Sequence, residues 1–284
     1  MVEAQALVGE CPVWSVREQA LYWIDIKGQT INRHRPSIGA DTTWSVPESV
    51  GSIALRQSGG LITAMASGFH RFDPQTGRLF HLLSPEPNQP GNRLNDGKCD
   101  RRGRFWAGSM DNAEKDISGA LYRFDPDGSC HAMKSGIHLS NGLDWSPDDR
   151  VMYLTDTLRR LIWAYDFDVE SGTISNEQIF ARVDDKAGYP DGLCVDEEGG
   201  VWSAHWDGWR LTRYLPGGQM DRIFPMPVPR PSSCAFGGTA FDVLYVTTAT
   251  IGLDATQLRQ APHSGSVLAL QPGIRGLAPS FFGD

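Results

Sequence analysis

The chain has 284 residues and a formal net charge of −8. That balance leaves no basic footprint for nucleic acid or an anionic membrane, and no apolar run is long enough for a membrane-spanning helix. Thirty-one Gly, eighteen Pro and nine Trp, with few long helix-forming runs, predict many short strands and tight turns. Five cysteines, at positions 11, 99, 130, 194 and 234, are scattered and lack a CxxC pair, which fits reduced thiols better than a disulfide framework or a thiolate zinc site. Met1–Gln5 carries no signal-peptide pattern, so a cytoplasmic protein is expected.

Six short apolar or aromatic strands recur along the chain. They are Leu21–Ile24, Leu61–Ala64, Phe105–Gly108, Met152–Thr155, Val201–Ala204 and Leu244–Thr247, with first residues 40 to 49 positions apart. Most follow a polar turn, such as Asp100-Arg101-Arg102-Gly103 or Asp196-Glu197-Glu198-Gly199. A further strand follows in several units, at Gly68–Asp73, Gly119–Phe124 and Arg160–Asp166, with weaker versions at Leu211–Tyr214 and Gly265–Leu268. Outer strands are expected at Leu79–Leu83 and Glu177–Phe180.

Units of this length with about four strands each predict an all-β fold, a six-bladed β-propeller forming one domain over residues 1–284. WD and kelch phrases are absent. The Trp and Phe of the recurring strands are expected to pack between blades. The terminal segments Val2–Leu7 and Arg275–Phe282 are expected to close the ring by sharing a blade, since closure removes exposed sheet edges.

The polar residues fall into a register. Ten or eleven positions before each recurring strand stand Glu10, Gly51, Asn95, Asn141, Asp191 and Ser233. The innermost strand of a propeller blade lines the central channel, so these six should ring its mouth. Taken singly, Asn or Asp before Gly is an ordinary hairpin signal. Taken together they are a ring of carboxylates, amides and a hydroxyl, oxygen donors that suit a hard or borderline divalent cation. The returning strands place Asp25, Asp156 and His205 just outside that ring, as cavity wall or behind it, where the two aspartates would orient Asn141 or a water, or else bond the backbone of a blade loop.

The longest stretches without strand character are Ser84–Gly91, Met110–Asp116, His205–Trp209 and Ile251–Ser264. Loops of this kind over a rigid scaffold are where binding concentrates. Arg93, two residues before Asn95, should lie at the same lip.

These residues also carry a resemblance. Gly9-Glu10-Cys11-Pro12-Val13-Trp14, Asn92-Arg93-Leu94-Asn95-Asp96-Gly97-Lys98, Ser140-Asn141-Gly142-Leu143-Asp144-Trp145, Pro190-Asp191-Gly192-Leu193-Cys194 and Cys234-Ala235-Phe236-Gly237-Gly238 resemble motifs of the regucalcin and gluconolactonase family, as does the tail Gly276-Leu277-Ala278-Pro279. The resemblance spans essentially the whole chain. It implies a propeller with one divalent metal on its axis that hydrolyses sugar lactones. Metal ligands are implied at Glu10, Asn141 and Asp191, and substrate or water contacts at Arg93 and Asn95. The third-blade lid departs from some relatives, leaving the role of Glu114 open, and His205-Trp206 is idiosyncratic.

The expected activity is opening of an aldonolactone to the aldonic acid, with Asp191 as the general base. Calcium and zinc lead the expected metals, with manganese, magnesium and iron(II) also compatible. Partners reduce to a small sugar lactone, with no nucleic acid and no membrane, for a monomer or weak homodimer. The alternatives are a calcium-binding protein of the regucalcin type with incidental lactonase activity, hydrolysis of other esters on the same metal, and an interaction scaffold. A Gly-x-Ser-x-Gly elbow is absent, so a serine esterase is unsupported.

Overall fold

Each of the six recurring strands is the second strand of an antiparallel sheet. The computed structural model describes residues 1–284 and contains five four-stranded sheets and one three-stranded sheet. The innermost strands of blades 1 to 6 are Gly9–Ser15, Val50–Leu55, Asn92–Cys99, Ser140–Trp145, Tyr189–Val195 and Pro231–Gly237. The second strands are Ala20–Asp25, Leu61–Met65, Phe105–Asp111, Val151–Asp156, Val201–Trp206 and Val243–Thr248. The fold is a six-bladed β-propeller, as the spacing predicted. No helix is long and apolar enough to cross a membrane.

Aromatics of the inner and second strands fill the gaps between blades. Trp106 of blade 3 meets Trp145 of blade 4 edge-on, with centroids 6.1 Å apart, and Trp202 of blade 5 meets Phe236 of blade 6 at 6.0 Å. Trp14 of blade 1 stacks on Tyr245 of blade 6 at 5.7 Å, which carries the packing across the closure. Large buried rings supply much of the hydrophobic stabilisation of such a core.

The turns joining inner to second strands are pinned by buried carboxylates. Asp100 accepts from the Arg104 Nε at 2.6 Å and the Trp106 indole N–H at 2.8 Å. Asp196 repeats the device in blade 5, accepting from the Trp202 indole at 2.7 Å and Arg213 Nε at 2.8 Å. In both blades the carboxylate thereby locks a core Trp to the turn that precedes it.

The two termini do different jobs, which corrects the expectation that both share a blade. Val2 pairs antiparallel with Val267, and Ala6 N donates to Gly265 O at 3.1 Å, so the N-terminal segment completes the outer edge of blade 6. The C-terminal segment instead crosses the end of the channel opposite the mouth. Gly276 bridges to Asp196, Phe282 pairs with Arg56, and Gly283 N donates to Gly103 O at 3.0 Å. Phe282 stacks on Phe124 at 5.7 Å, and Leu277–Ser280 cap a small cavity below the inner strands.

Several outer strands, including Ala40–Ser45 and Met220–Pro225, had no counterpart in the sequence reading. They are largely exposed and mixed in polarity, so neither face carries an apolar stripe. The Ile251–Ser264 segment, expected as a loop, holds a short helix at Ala255–Gln260. Asp254 caps it by accepting from Thr256 N and Gln257 N, while Gln257 Oε1 accepts from Asp254 N, a capping box.

Candidate functional site

Pairing between the inner and second strands of every blade breaks near the mouth. The register skips between Glu10 and Val13, Val50 and Ser52, Ser140 and Leu143, Pro190 and Leu193, and Pro231 and Ser233; in blade 3 it skips opposite Ala107 and Ser109. A bulge re-aims the side chain it carries, and here it turns Asn95, Asn141 and Asp191 off the sheet and onto the channel axis. The glycines that follow Asn141 and Asp191 serve close approach, and their φ is not positive. A Cβ on Gly142 would lie 2.2 Å from Leu193 N, and one on Gly192 would lie 2.2 Å from Ser233 Oγ. The Asn-Gly and Asp-Gly pairs are therefore strand residues packed against the next blade, and hairpin chemistry does not explain them.

Glu10, Arg93, Asn95, Asn141 and Asp191 line one cavity of about 360 Å³ at the mouth. All five are buried. Glu10 Oε2 accepts from Cys11 N at 2.8 Å, leaving the other oxygen free for the cavity. Arg93 Nη1 donates to Asn95 Oδ1 at 2.6 Å, and Asn95 Nδ2 donates to Ser140 O at 2.8 Å, which fixes which way the Asn95 amide points. Arg93 Nε donates to Asn112 Oδ1 at 3.0 Å, tying it to the third-blade lid. Asn141 Nδ2 donates to Thr157 Oγ1 at 3.2 Å, so its carbonyl oxygen is the end available to a ligand.

The electrostatics of the ring are unbalanced. Burial, and then the Asp191 and Asp96 carboxylates, push the Glu10 carboxyl well above its ordinary range. Burial and Asp96 do the same to Asp191, partly offset by donors from Asn141 and the Gly192 N–H. Neither Glu10 nor Asp191 forms an ion pair. Two buried carboxylates without a cation are costly, and an amide oxygen stands beside them. This donor set fits a divalent cation taking Glu10, Asn141 and Asp191 as ligands. Nowhere do three His, Cys, Asp or Glu side chains converge in a metal-holding cluster, so only a mixed carboxylate–amide set is on offer.

One half-buried cation lies beneath the ring. Lys98 Nζ donates to Asp144 Oδ2 at 2.8 Å and to Leu193 O at 3.2 Å, joining the inner strands of blades 3, 4 and 5. Burial raises its neighbour Asp96 to about 6.

Other expected residues lie elsewhere. Gly51 supplies only backbone, since a Cβ there would sit 2.6 Å from Leu94 O. Ser233 faces the small lower cavity and not the mouth. Asp25 accepts from Leu7 N, Val8 N and Gly28 N, and Asp156 from His138 N, Leu139 N and Arg159, so both anchor loop backbone and neither orients Asn141. His205 is also off the mouth; its Nδ1 lies 2.8 Å from Ala187 O and it borders a separate groove between blades 4 and 5. A residue at the end of a second strand is captured by the adjacent loop before it can reach the axis.

The rim adds Lys27, Glu114, Tyr189, Trp206 and Asp207. Asp207 is paired with Arg230 at 2.6 Å, whereas Lys27 forms no ion pair. Glu114 stands at φ 59° on a turn held by Asp111, which accepts from Ala113, Lys115 and Asp116 N–H groups. Thr157 and Lys27 were not singled out from sequence; each follows shortly after an aspartate that anchors a loop, and nothing else marks them.

Known proteins share the sequence pattern and the fold of this chain. Residues 8–250 match the family model described as the SMP-30/gluconolactonase/LRE-like region. The chain belongs to the SMP-30/gluconolactonase/LRE-like family. Among curated members, a 6-deoxy-6-sulfogluconolactonase of Pseudomonas putida is 37% identical, over 99% of this chain and 97% of that one. Regucalcin of Xenopus laevis is 35% identical, over 97% of this chain and 94% of that one. In three dimensions the chain superposes on a calcium-binding regucalcin from Agrobacterium tumefaciens with a TM-score of 0.94, covering 99% and 95% of the two chains; at 24% identity this speaks to the fold. Members of the family thus bear names of two kinds, lactonase and regucalcin.

Proposed function

We propose that the protein is a metal-dependent lactonase that opens a five- or six-membered aldonolactone to the aldonic acid. The observation that carries the reading is the pair of buried carboxylates, Glu10 and Asp191, lining one cavity with Asn141 and engaged in no ion pair. A cavity of about 360 Å³ suits one monosaccharide lactone.

In this reading Glu10, Asn141 and Asp191 hold the ion. When bound, a divalent cation supplies polarisation of the lactone carbonyl and a more acidic water. Asp191 accepts the proton of the attacking water as general base. Arg93 and Asn95, held in one geometry by their mutual hydrogen bond, orient the sugar hydroxyls. Purified protein assayed on glucono-, galactono-, xylono- and arabinonolactones with each divalent metal tests the reading; inactivity on every lactone with every metal overturns it.

The unpaired Lys27 at the rim favours a substrate with an anionic substituent remote from the carbonyl, and the Pseudomonas putida relative is named for a sulfonated gluconolactone. Lys27→Met should then raise KM for an anionic lactone and leave a neutral one unchanged. The regucalcin names favour a second reading, a calcium-binding protein whose hydrolysis is incidental. The two part on turnover, since the enzyme reading requires efficient cleavage of at least one lactone.

A further inference from the structure

Away from the mouth, a groove of about 580 Å³ runs between blades 4 and 5. Blade 5 contributes His205 and Arg210, which face each other across its second and third strands, close enough to share one small ligand. Blade 4 contributes Phe180 and Arg182, and the crossover between the blades contributes Asp184 and Lys186.

The polar groups of this groove are unmatched. The Ala187 carbonyl can only accept, so His205 Nδ1 carries the hydrogen and Nε2 presents a lone pair. That Nε2 is buried and has no partner, in a side chain that is only 1% exposed. The Nε of Arg210 is likewise buried without a partner, and Arg210 forms no ion pair. Arg182, Lys186 and Arg210 outnumber the one carboxylate of the lining, Asp184. A buried acceptor and a buried charged donor, both left open, are costly in a folded protein and mark a place for a ligand.

We propose that this groove is a second small-molecule site, taking a hydroxylated carboxylate of the aldonic-acid class. The carboxylate sits on the Arg210 guanidinium, in the geometry that a planar fork matches. A ligand hydroxyl donates to His205 Nε2, and the carbon chain lies along Phe180. An anion without a hydroxyl would leave His205 unmatched, and a neutral polyol would leave Arg210 unmatched. The inference is independent of the lactonase reading of the mouth.

The test is calorimetric titration of the full-length protein with sodium D-gluconate, in the presence of chelator, with glucitol and acetate as probes of the two halves of the ligand. Binding of D-gluconate should persist in Asp191→Asn, weaken roughly tenfold or more in Arg210→Met, and weaken to a smaller extent in Lys186→Met, a change at an exposed side chain that should leave the fold intact. Glucitol and acetate should each bind more weakly than D-gluconate. Binding that disappears in Asp191→Asn, or that survives unchanged in both Arg210→Met and Lys186→Met, overturns the proposal, as does absence of D-gluconate binding at millimolar concentration.

Discussion

Glu10 and Asp191, carried by the inner strands of blades 1 and 5, line the same cavity at the mouth of the channel, and after burial itself it is the Asp191 charge that most pushes the Glu10 carboxyl toward its protonated form. Inner strands distant in sequence deliver both carboxylates to the same cavity, where neither forms an ion pair, Arg93 being held by Asn95 and Asn112. The site is thus a store of unfavourable charge that a divalent ion would relieve.

Removing one charge tests this relation. Asp191→Asn keeps shape but loses the ligand and the base, so lactone turnover should fall by roughly 10²–10⁴-fold, the range of a general base alone. Thermal stability without metal should stay equal or rise, because a buried repulsion is gone. A variant that is as active as the parent, measured by lactone hydrolysis, would contradict the assignment of Asp191.

Arg93 positions Asn95 through the 2.6 Å bond and Asn112 through Nε. A lysine cannot reproduce both contacts. Arg93→Lys should cost kcat/KM roughly tenfold or more, the worth of a charged hydrogen bond of about 1.5–3 kcal/mol, with metal affinity unchanged. Steady-state kinetics beside metal titration separates the two.

Gly142 packs its Cα against the backbone of blade 5, where a Cβ would lie 2.2 Å from Leu193 N. Gly142→Ala should therefore destabilise by about 1–3 kcal/mol or more, the cost of overpacking against an immobile neighbour. Denaturant unfolding gives the value. A hairpin glycine, by contrast, would show its cost through a positive φ, which Gly142 lacks.

His205 supplies a pH dependence away from the mouth. Burial lowers it from 6.5 to about 4, so between those values the unfolded chain holds more protons than the folded one. Stability from this group is full above pH 6.5 and is lost as pH falls toward 4, by about 3 kcal/mol in total. His205→Gln should flatten the stability profile in that window while leaving the region above pH 7 unchanged; equal slopes in both proteins would contradict it.

The six second strands were legible because their aromatic and β-branched cores recur at a steady interval, and the intervals fixed the blade count. The ring residues Glu10, Asn95, Asn141 and Asp191 were legible for the same reason: register is conserved by a propeller even where each residue looks like a turn. The bulges were not legible, since a strand skips register through backbone geometry that no residue type announces. This also explains Asp25, Asp156 and His205. Counting put them beside the ring, but loop N–H groups and the Ala187 carbonyl compete for them locally. Outer strands such as Ala40–Ser45 escaped because exposure leaves them no apolar period. The tail escaped for another reason: Phe282 finds its partner, Phe124, in another blade altogether.

The central claim is that Glu10, Asn141 and Asp191 together hold one catalytic divalent ion. Calorimetric titration of chelator-treated protein with calcium and with zinc, run beside lactone turnover on the same samples, addresses it directly. The account predicts one ion per chain, turnover that vanishes with chelator and returns with metal, and loss of both binding and turnover in Glu10→Gln and Asp191→Asn. Full turnover in metal-free protein, or tight binding of one ion that survives in both variants, would contradict it.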